Sequence, residues 1–213
     1  MAVKYNYKVQ AEVVDLREES PQLQDKFFVD TNALFYYSHP LPKSEQPKIY
    51  QIEIYPKYIK KASKANSTLF YCGVNISELA HIIEKTLFDF FVDTRKKDKK
   101  YYPSNIKKYR HNYPQERKKV IRRIQSACHN IEKIANLVEV TLNYHTTRSL
   151  ITQIQDSSID GYDAYILEAM INSGINQIIT DDGDFATVAG IIVFTANDGV
   201  ITAAKSQGKF ITR

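Results

Sequence analysis

Cysteine is nearly absent: the 213-residue chain has two, Cys72 and Cys128, far apart and in apolar surroundings. That usage argues against a disulfide-stapled fold and against thiol redox chemistry. The five histidines (His39, His81, His111, His129, His145) pair closely neither with one another nor with cysteine, so no zinc ligand set is visible. Glycine and proline are scarce, at seven each, and there is no repeat at solenoid spacing, which argues against repeat and disordered classes. No window approaches the roughly 18 uninterrupted apolar residues of a membrane span. The start, Met1-Ala2-Val3-Lys4-Tyr5, has none of the apolar core of a secretory signal, so a cytoplasmic chain without membrane contact is expected.

What is present is a hydrophobic fraction of 43%, enough in a chain of this length to bury one good core, and one elaborated domain is expected. The net charge of +5 is unevenly distributed. Residues 93–123 hold thirteen of the 29 Lys and Arg against three of the 24 acids, which leaves 16 basic and 21 acidic residues elsewhere. Such a segment suits a surface that meets a polyanion, while the acidic remainder can concentrate negative charge where a cation sits. Tyr101, Tyr102, Tyr109 and Tyr113 are interleaved with the basic residues. Tyrosine rings can stack on bases and lysines can contact phosphates, so Arg95, Lys96, Lys97, Lys99, Lys100, Tyr101, Tyr102, Lys107, Lys108 and Arg110 are candidate contacts to single-stranded nucleic acid. The plain alternative is a solvated charged face whose tyrosines pack between helices.

Along the chain, Tyr5, Tyr7, Val9, Ala11 and Val13 alternate weakly, which predicts a strand or extended arm within residues 1–25. Lys26-Phe27-Phe28-Val29-Asp30 is a short apolar run that stops at an acid, the pattern of a strand buried on both faces. Helical potential follows from Ala33 to Tyr37, before Pro40 and Pro42, and a short helix is expected from Tyr58 to Ala65, after Pro56. A second strand, Thr68-Leu69-Phe70-Tyr71-Cys72, leads into a helix whose stripe is Leu79, Ile82, Ile83, Leu87, Phe90 and Phe91. Asn75 and Glu78 have the spacing of a capping box at its start. A further helical pattern runs from Val120 to about Val140. Then Asp160-Gly161-Tyr162-Asp163 precedes a helix that ends at Gly174, the strand Gln177-Ile178-Ile179-Thr180 stops at Asp181-Asp182-Gly183-Asp184, and the strand Ile191-Ile192-Val193-Phe194-Thr195 stops at Asn197-Asp198. Apolar strands alternating with helices predict an α/β fold with a mainly parallel sheet.

Asp30 and Asp182 follow apolar strands, and Glu78 and Asp163 open helices. In an open α/β sheet those positions converge on the carboxyl ends of the strands, where ligands bind. Gathered carboxylates repel one another unless a cation compensates them, and Mg2+ or Mn2+ is the natural oxygen-liganded occupant. Singly, each acid has an ordinary reading: an Asx turn at Asp30, a cap at Glu78 or Asp160, a helix-dipole partner at Asp163. Asp160 and Asp198 are left with that ordinary reading.

The segments Asp30-Thr31-Asn32-Ala33, Ile76-Ser77-Glu78-Leu79, Asp160-Gly161-Tyr162-Asp163-Ala164 and Ile179-Thr180-Asp181-Asp182-Gly183-Asp184-Phe185, in this order over roughly residues 26–200, resemble PIN-domain nucleases. The resemblance implies a PIN-like three-layer fold over residues 26–213, with the basic stretch near 93–123 as a helical insertion. It implies that Asp30, Glu78, Asp163 and Asp182 are catalytic acids that hold Mg2+ or Mn2+, with Asp184 as an accessory ligand and Thr31, Asn32 and Thr180 orienting ligands or water. The implied activity is an endoribonuclease that leaves 5′-phosphate and 3′-hydroxyl ends. Single-stranded RNA as substrate, an antitoxin or other regulatory protein, and a homodimer are the implied partners. The chain is longer than compact PIN toxins, its extra length lying in the N-terminal arm and the basic segment, and Asp181-Asp182-Gly183-Asp184 offers more acids than one ligand position needs. Two other readings stand beside this one. A catalytically silent nucleic-acid-binding module would use the basic segment alone. A haloacid-dehalogenase-type phosphatase would use Asp30 as nucleophile, but it has a second Asp two positions on, where this chain has Asn32.

Overall fold

The computed structural model describes residues 5–38, 48–95 and 103–213. Lys96, Lys97, Lys99, Lys100, Tyr101 and Tyr102 of the candidate nucleic-acid surface lie outside the described residues. The described elements run β1 (Glu12–Asp15), β2 (Lys26–Val29), α1 (Thr31–Ser38), α2 (Ile49–Lys64), β3 (Thr68–Cys72), α3 (Gly73–Thr94), α4 (Ile106–Asn112), α5 (Pro114–Glu132), β4 (Asn136–Val138), α6 (Tyr144–Asp156), α7 (Gly161–Asn172), β5 (Gln177–Ile179), β6 (Ile192–Thr195) and α8 (Asp198–Ser206). Six strands form one sheet in the order β1-β6-β5-β2-β3-β4, and every pairing is parallel.

Alternation along the strands divides the core in two. Phe27, Val29, Leu69, Ile179 and Phe194 face a layer built on α1, α2, α3 and α5, with Leu34, Tyr55, Ile59, Leu79, Ile83 and Ile131. Phe28, Val13, Ile178 and Val193 face the opposite layer of α6, α7 and α8, with Leu150, Leu167, Met170 and Val200. Burial on both faces accounts for the continuous apolar strands. Near the far end of α3 a small separate cluster of Phe91, Tyr109 and Val120 ties α4 and α5 of the basic segment to the body. Arg213 closes the edge beside β1. It pairs with the buried Glu19 and, at 2.8 Å, with Asp25, while its guanidinium lies 4.7 Å from the centre of the Phe194 ring. Among the described residues no helix is long and apolar enough to cross a membrane.

Four local expectations are corrected. The first strand begins at Glu12, beyond most of the Tyr5 to Val13 alternation, because only there does the chain meet the β6 ladder. Helix α2 starts at Ile49 and runs through Pro56. Burying Tyr55, Tyr58, Ile59 and Ala62 outweighs the ~3 kcal/mol cost of an interior proline. Helix α3 begins at Gly73, so Asn75 is inside its first turn and forms no cap with Glu78; its Oδ1 accepts from Cys72 N–H at 2.8 Å. Finally, α5 ends at Glu132, and Asn136–Val138 is edge strand β4.

Candidate active site

From β2 the chain steps outward through β3 to β4, then returns to lay β5 on the other side of β2. The strand order therefore reverses between β2 and β5, and the crevice beyond their carboxyl ends is where an open α/β sheet receives ligands. Val29 is in register with Ile179, so the next residues, Asp30 and Thr180, stand side by side in that crevice. The Asp30 N–H donates to Ile179 O at 3.0 Å, and Thr180 N–H to Phe194 O at 3.1 Å, which extends the ladder to the rim.

Asp30 is 2% exposed and tightly held. Its Oδ1 accepts from Thr31 N–H at 2.6 Å; its Oδ2 accepts from Asn32 Nδ2 and Thr180 Oγ1, both at 2.6 Å. Three of about four lone-pair directions are thereby occupied. Thr180 Oγ1 also accepts from Asp182 N–H at 2.8 Å, and Asp182 Oδ1 from Asp184 N–H at 2.9 Å, so the acids are linked through a folded loop. Asp160 caps α7 by accepting from Tyr162 N–H at 2.8 Å and Asp163 N–H at 3.0 Å. That cap places Asp163 in the first turn of α7, buried against the crevice. Carboxylate oxygens of Asp163, Asp182 and Asp184 lie within 4.8 Å of one another.

Glu78 reaches the site from α3, one turn beyond Asn75, whose Nδ2 donates to Thr31 Oγ1 at 3.1 Å. Glu78 Oε2 is buried and has no hydrogen-bond partner. An orphaned buried carboxylate oxygen is costly, and a cation beside it would relieve that cost.

The electrostatics agree. Burial, followed by Asp182 and Glu78, pushes the Asp30 pKa up to about 8 against the opposing Thr180 hydrogen bond. Burial, then Asp30, Asp182 and Asp160, pushes Asp163 up to about 9. Glu78, Asp182 and Asp184 are also raised, each chiefly by burial and then by neighbouring acids. None of the five forms an ion pair with Lys or Arg among the described residues. The crevice thus holds acidic groups forced together without a cation of their own. The chemistry of the donor set fits a hard divalent ion: all are carboxylate oxygens, and those of Asp163, Asp182 and Asp184 are near enough to one another to share one.

The fold brings Asp30, Glu78, Asp163, Asp182 and Asp184 to one end of the sheet, with Thr31, Asn32 and Thr180 beneath them. Asp181 is diverted elsewhere. Its carboxylate accepts from Tyr50 Oη at 3.0 Å, Tyr55 Oη at 2.7 Å and Gln51 Nε2, and its N–H donates to Asn32 Oδ1 at 3.1 Å. Sequence reasoning missed this tether, and missed Asn197, which caps α8 and donates to Asp181 O at 2.9 Å. Neither had a local signal, since both join residues far apart in the chain. Asp198 is exposed and pairs with Arg17 at 2.8 Å. In the basic segment, Arg95 is exposed and lies 3.9 Å from the centre of the Phe91 ring, and Lys107 and Lys108 are exposed. Arg110 and Arg117 instead hold the buried Glu84, and Tyr109 packs between Phe88, Phe91 and Tyr113.

The sequence model of the PIN domain family matches residues 27–191, which include every acid of this crevice. The chain belongs to the PIN domain family. Its six-stranded parallel sheet between two helical layers is a PIN-like fold. Among solved structures, VapBC2 from Rickettsia felis, crystallised bound to a DNA fragment from their promoter, aligns at 12% identity and a TM-score of 0.46, over 80% of this chain and 98% of that one. No curated protein matches. PIN membership supports nuclease chemistry.

Proposed function

We propose that the chain is a Mg2+- or Mn2+-dependent endoribonuclease that hydrolyses single-stranded RNA at the crevice between β2 and β5. The observation that carries the reading is the set of buried acids with raised pKa values and no basic partner, completed by the orphaned Glu78 Oε2. Asp30, Glu78, Asp163, Asp182 and Asp184 would hold the metal. Bound there, the divalent ion supplies Lewis-acid stabilisation of the phosphate and lowers the pKa of the attacking water.

The chain's own groups do the rest. Thr31 N–H, Asn32 and Thr180 fix the Asp30 carboxylate in one orientation, so little reorganisation is left for the reaction. Glu78 Oε2, which no group of the chain engages, is the oxygen with which Glu78 would reach the ion. The Asp181 tether to α2 anchors the loop that carries Asp182 and Asp184. Hydrolysis without a covalent intermediate leaves 5′-phosphate and 3′-hydroxyl ends. The same hydrogen bonds on both oxygens of Asp30 weigh against a phosphatase in which that carboxylate is the nucleophile. Exposed Arg95, Lys107 and Lys108, with Lys96, Lys97, Lys99 and Lys100, would contact RNA phosphates. An antitoxin-type regulator and a homodimer belong to this reading as partners implied by the family resemblance.

Incubation with single-stranded RNA and Mn2+, with EDTA and Asp163→Asn as controls, tests it. Cleavage abolished by both controls, with 5′-phosphate products, supports the nuclease. Products ending in 2′,3′-cyclic phosphate would overturn the mechanism. Phosphate release from small esters would favour the phosphatase, and tight RNA binding without cleavage would favour the silent binding module.

A further inference from the structure

The N-terminal arm brings two aromatic rings to the acids. Tyr5 and Tyr7 stack with ring centres 5.9 Å apart and planes 30° from parallel. Tyr7 lies against Gly183, in the loop between Asp182 and Asp184, so closely that a Cβ at position 183 would overlap the phenol ring. Tyr5, next in the stack, is 67% exposed. A cavity of about 370 Å³ is lined by these two rings together with Asn32, Asn197 and the loop from Asp181 to Asp184. It shares Tyr5, Tyr7 and Asn197 with a neighbouring cavity of about 920 Å³ that includes Lys48. The two cavities thus lie on either side of the ring pair, one reaching Lys48 and the other the loop that carries Asp182 and Asp184.

An exposed ring held on a fixed second ring has an unused aromatic face, the feature that single-strand binding proteins offer to bases irrespective of sequence. Duplex bases are already stacked on their neighbours and cannot use such a face without being splayed apart. Resting on the nuclease reading, we propose that Tyr5 and Tyr7 form a stacking platform for an unpaired nucleobase of single-stranded RNA whose adjoining phosphate occupies the acid cluster. The strand continues through the larger cavity past Lys48. Tyr5 supplies the base contact, and Tyr7, seated on Gly183, fixes its height above the acids.

The probe is a single-stranded RNA oligonucleotide carrying 2-aminopurine, whose fluorescence is quenched by stacking. Binding is followed with the Asp182→Asn protein in Mn2+, and cleavage with the active-site residues intact. Quenching is expected with Tyr5 present, lost in Tyr5→Ala and retained in Tyr5→Phe, which keeps the ring. For cleavage, Tyr5→Ala should raise KM about tenfold with kcat nearly unchanged, a loss within the range for one stacked base. The exposure of Tyr5 makes loss of folding an unlikely confounder, and Tyr5→Phe controls for it. Equal quenching by Tyr5→Ala, or an unchanged KM, overturns the platform while leaving the nuclease standing. Ring-dependent quenching without cleavage by the unsubstituted protein sinks the nuclease reading and leaves the platform.

Discussion

Replacing Asp163 by asparagine should stabilise the metal-free protein while removing its activity. Asp163 is 7% exposed, and burial with the charges of Asp30, Asp182 and Asp160 raises its pKa from 3.8 to about 9. With the folded value above the unfolded one, the folded chain holds a proton that the unfolded chain has released. Stability is then complete below about pH 4 and falls as pH climbs toward about 9. Each pH unit in that window costs ~1.4 kcal/mol, so a group about three units past its ordinary value at pH 7 has a ceiling of ~4 kcal/mol. Asp30, raised to about 8, shares the same repulsion. Assigning half to each leaves ~2 kcal/mol for Asp163, or roughly 4–8 °C in Tm for a chain of this size. Asparagine fits locally, because the hydrogen bond Asp163 accepts is a long one from Asp160 N–H at 3.4 Å, which an amide oxygen can also receive. Thermal melts in EDTA at pH 5 and pH 8 should show a small gain at the lower pH and the full gain at the higher. Added Mn2+ should stabilise the unsubstituted protein by ~2.7 kcal/mol at a hundredfold excess over Kd, raising its Tm, and stabilise the variant less. A variant less stable than its parent at pH 8 in EDTA would refute the claim that uncompensated charge is stored in the crevice.

Gly183→Ala should force Tyr7 off the loop at a cost of about 1–3 kcal/mol, seen as a lower Tm and faster proteolysis of the arm. Glu84→Gln should cost about 1–2 kcal/mol at pH 7, after allowing for the half-exposed guanidinium groups of Arg110 and Arg117. Hydrogen bonding from Arg110 lowers the Glu84 pKa, so this contribution exists above its ordinary value and is lost as pH falls through the folded one; melts at pH 7 and pH 3 should therefore converge for the two proteins. Tyr55→Phe removes a donor to Asp181 at 2.7 Å and orphans the Ala196 N–H, which lies 3.0 Å from the hydroxyl. The expected loss is about 2 kcal/mol in denaturant titration, and RNA cleavage should fall as the Asp182 loop loosens.

The acids on strands were legible because an apolar run that stops at a carboxylate is a local pattern, seen in Phe27-Phe28-Val29-Asp30 and again before Asp182. Glu78 was singled out for a partly wrong reason. The spacing from Asn75 suggested a cap, whereas α3 starts two residues before Asn75 and that side chain braces Cys72 and Thr31. β4 was hidden because Leu137 and Val138 continue the helical spacing of Ile131 and Ile134, and a three-residue edge strand has too short a period to compete. Helix α6 was passed over although Asn143 caps it, and Pro56 misled because burial on α2 overrides local propensity. What no local reading reaches is contact across the fold: Asp181 is held by α2 from some 130 residues away, and Tyr7 rests on Gly183. Those contacts engage the Asp181 carboxylate and leave Asp182 and Asp184 beside Asp163.

The opening strand is hydrogen-bonded to the final strand, with Glu12 opposite Ile192. During translation it must wait for the 180 residues that separate Glu12 from Ile192, roughly 10–40 s at ordinary elongation rates. The loop bearing Asp182 and Asp184 emerges equally late. A nascent polypeptide that ends within α7 therefore carries Asp30, Glu78 and Asp163 but not Asp182 and Asp184, so the acid cluster is completed only when β5 and the loop after it have been made.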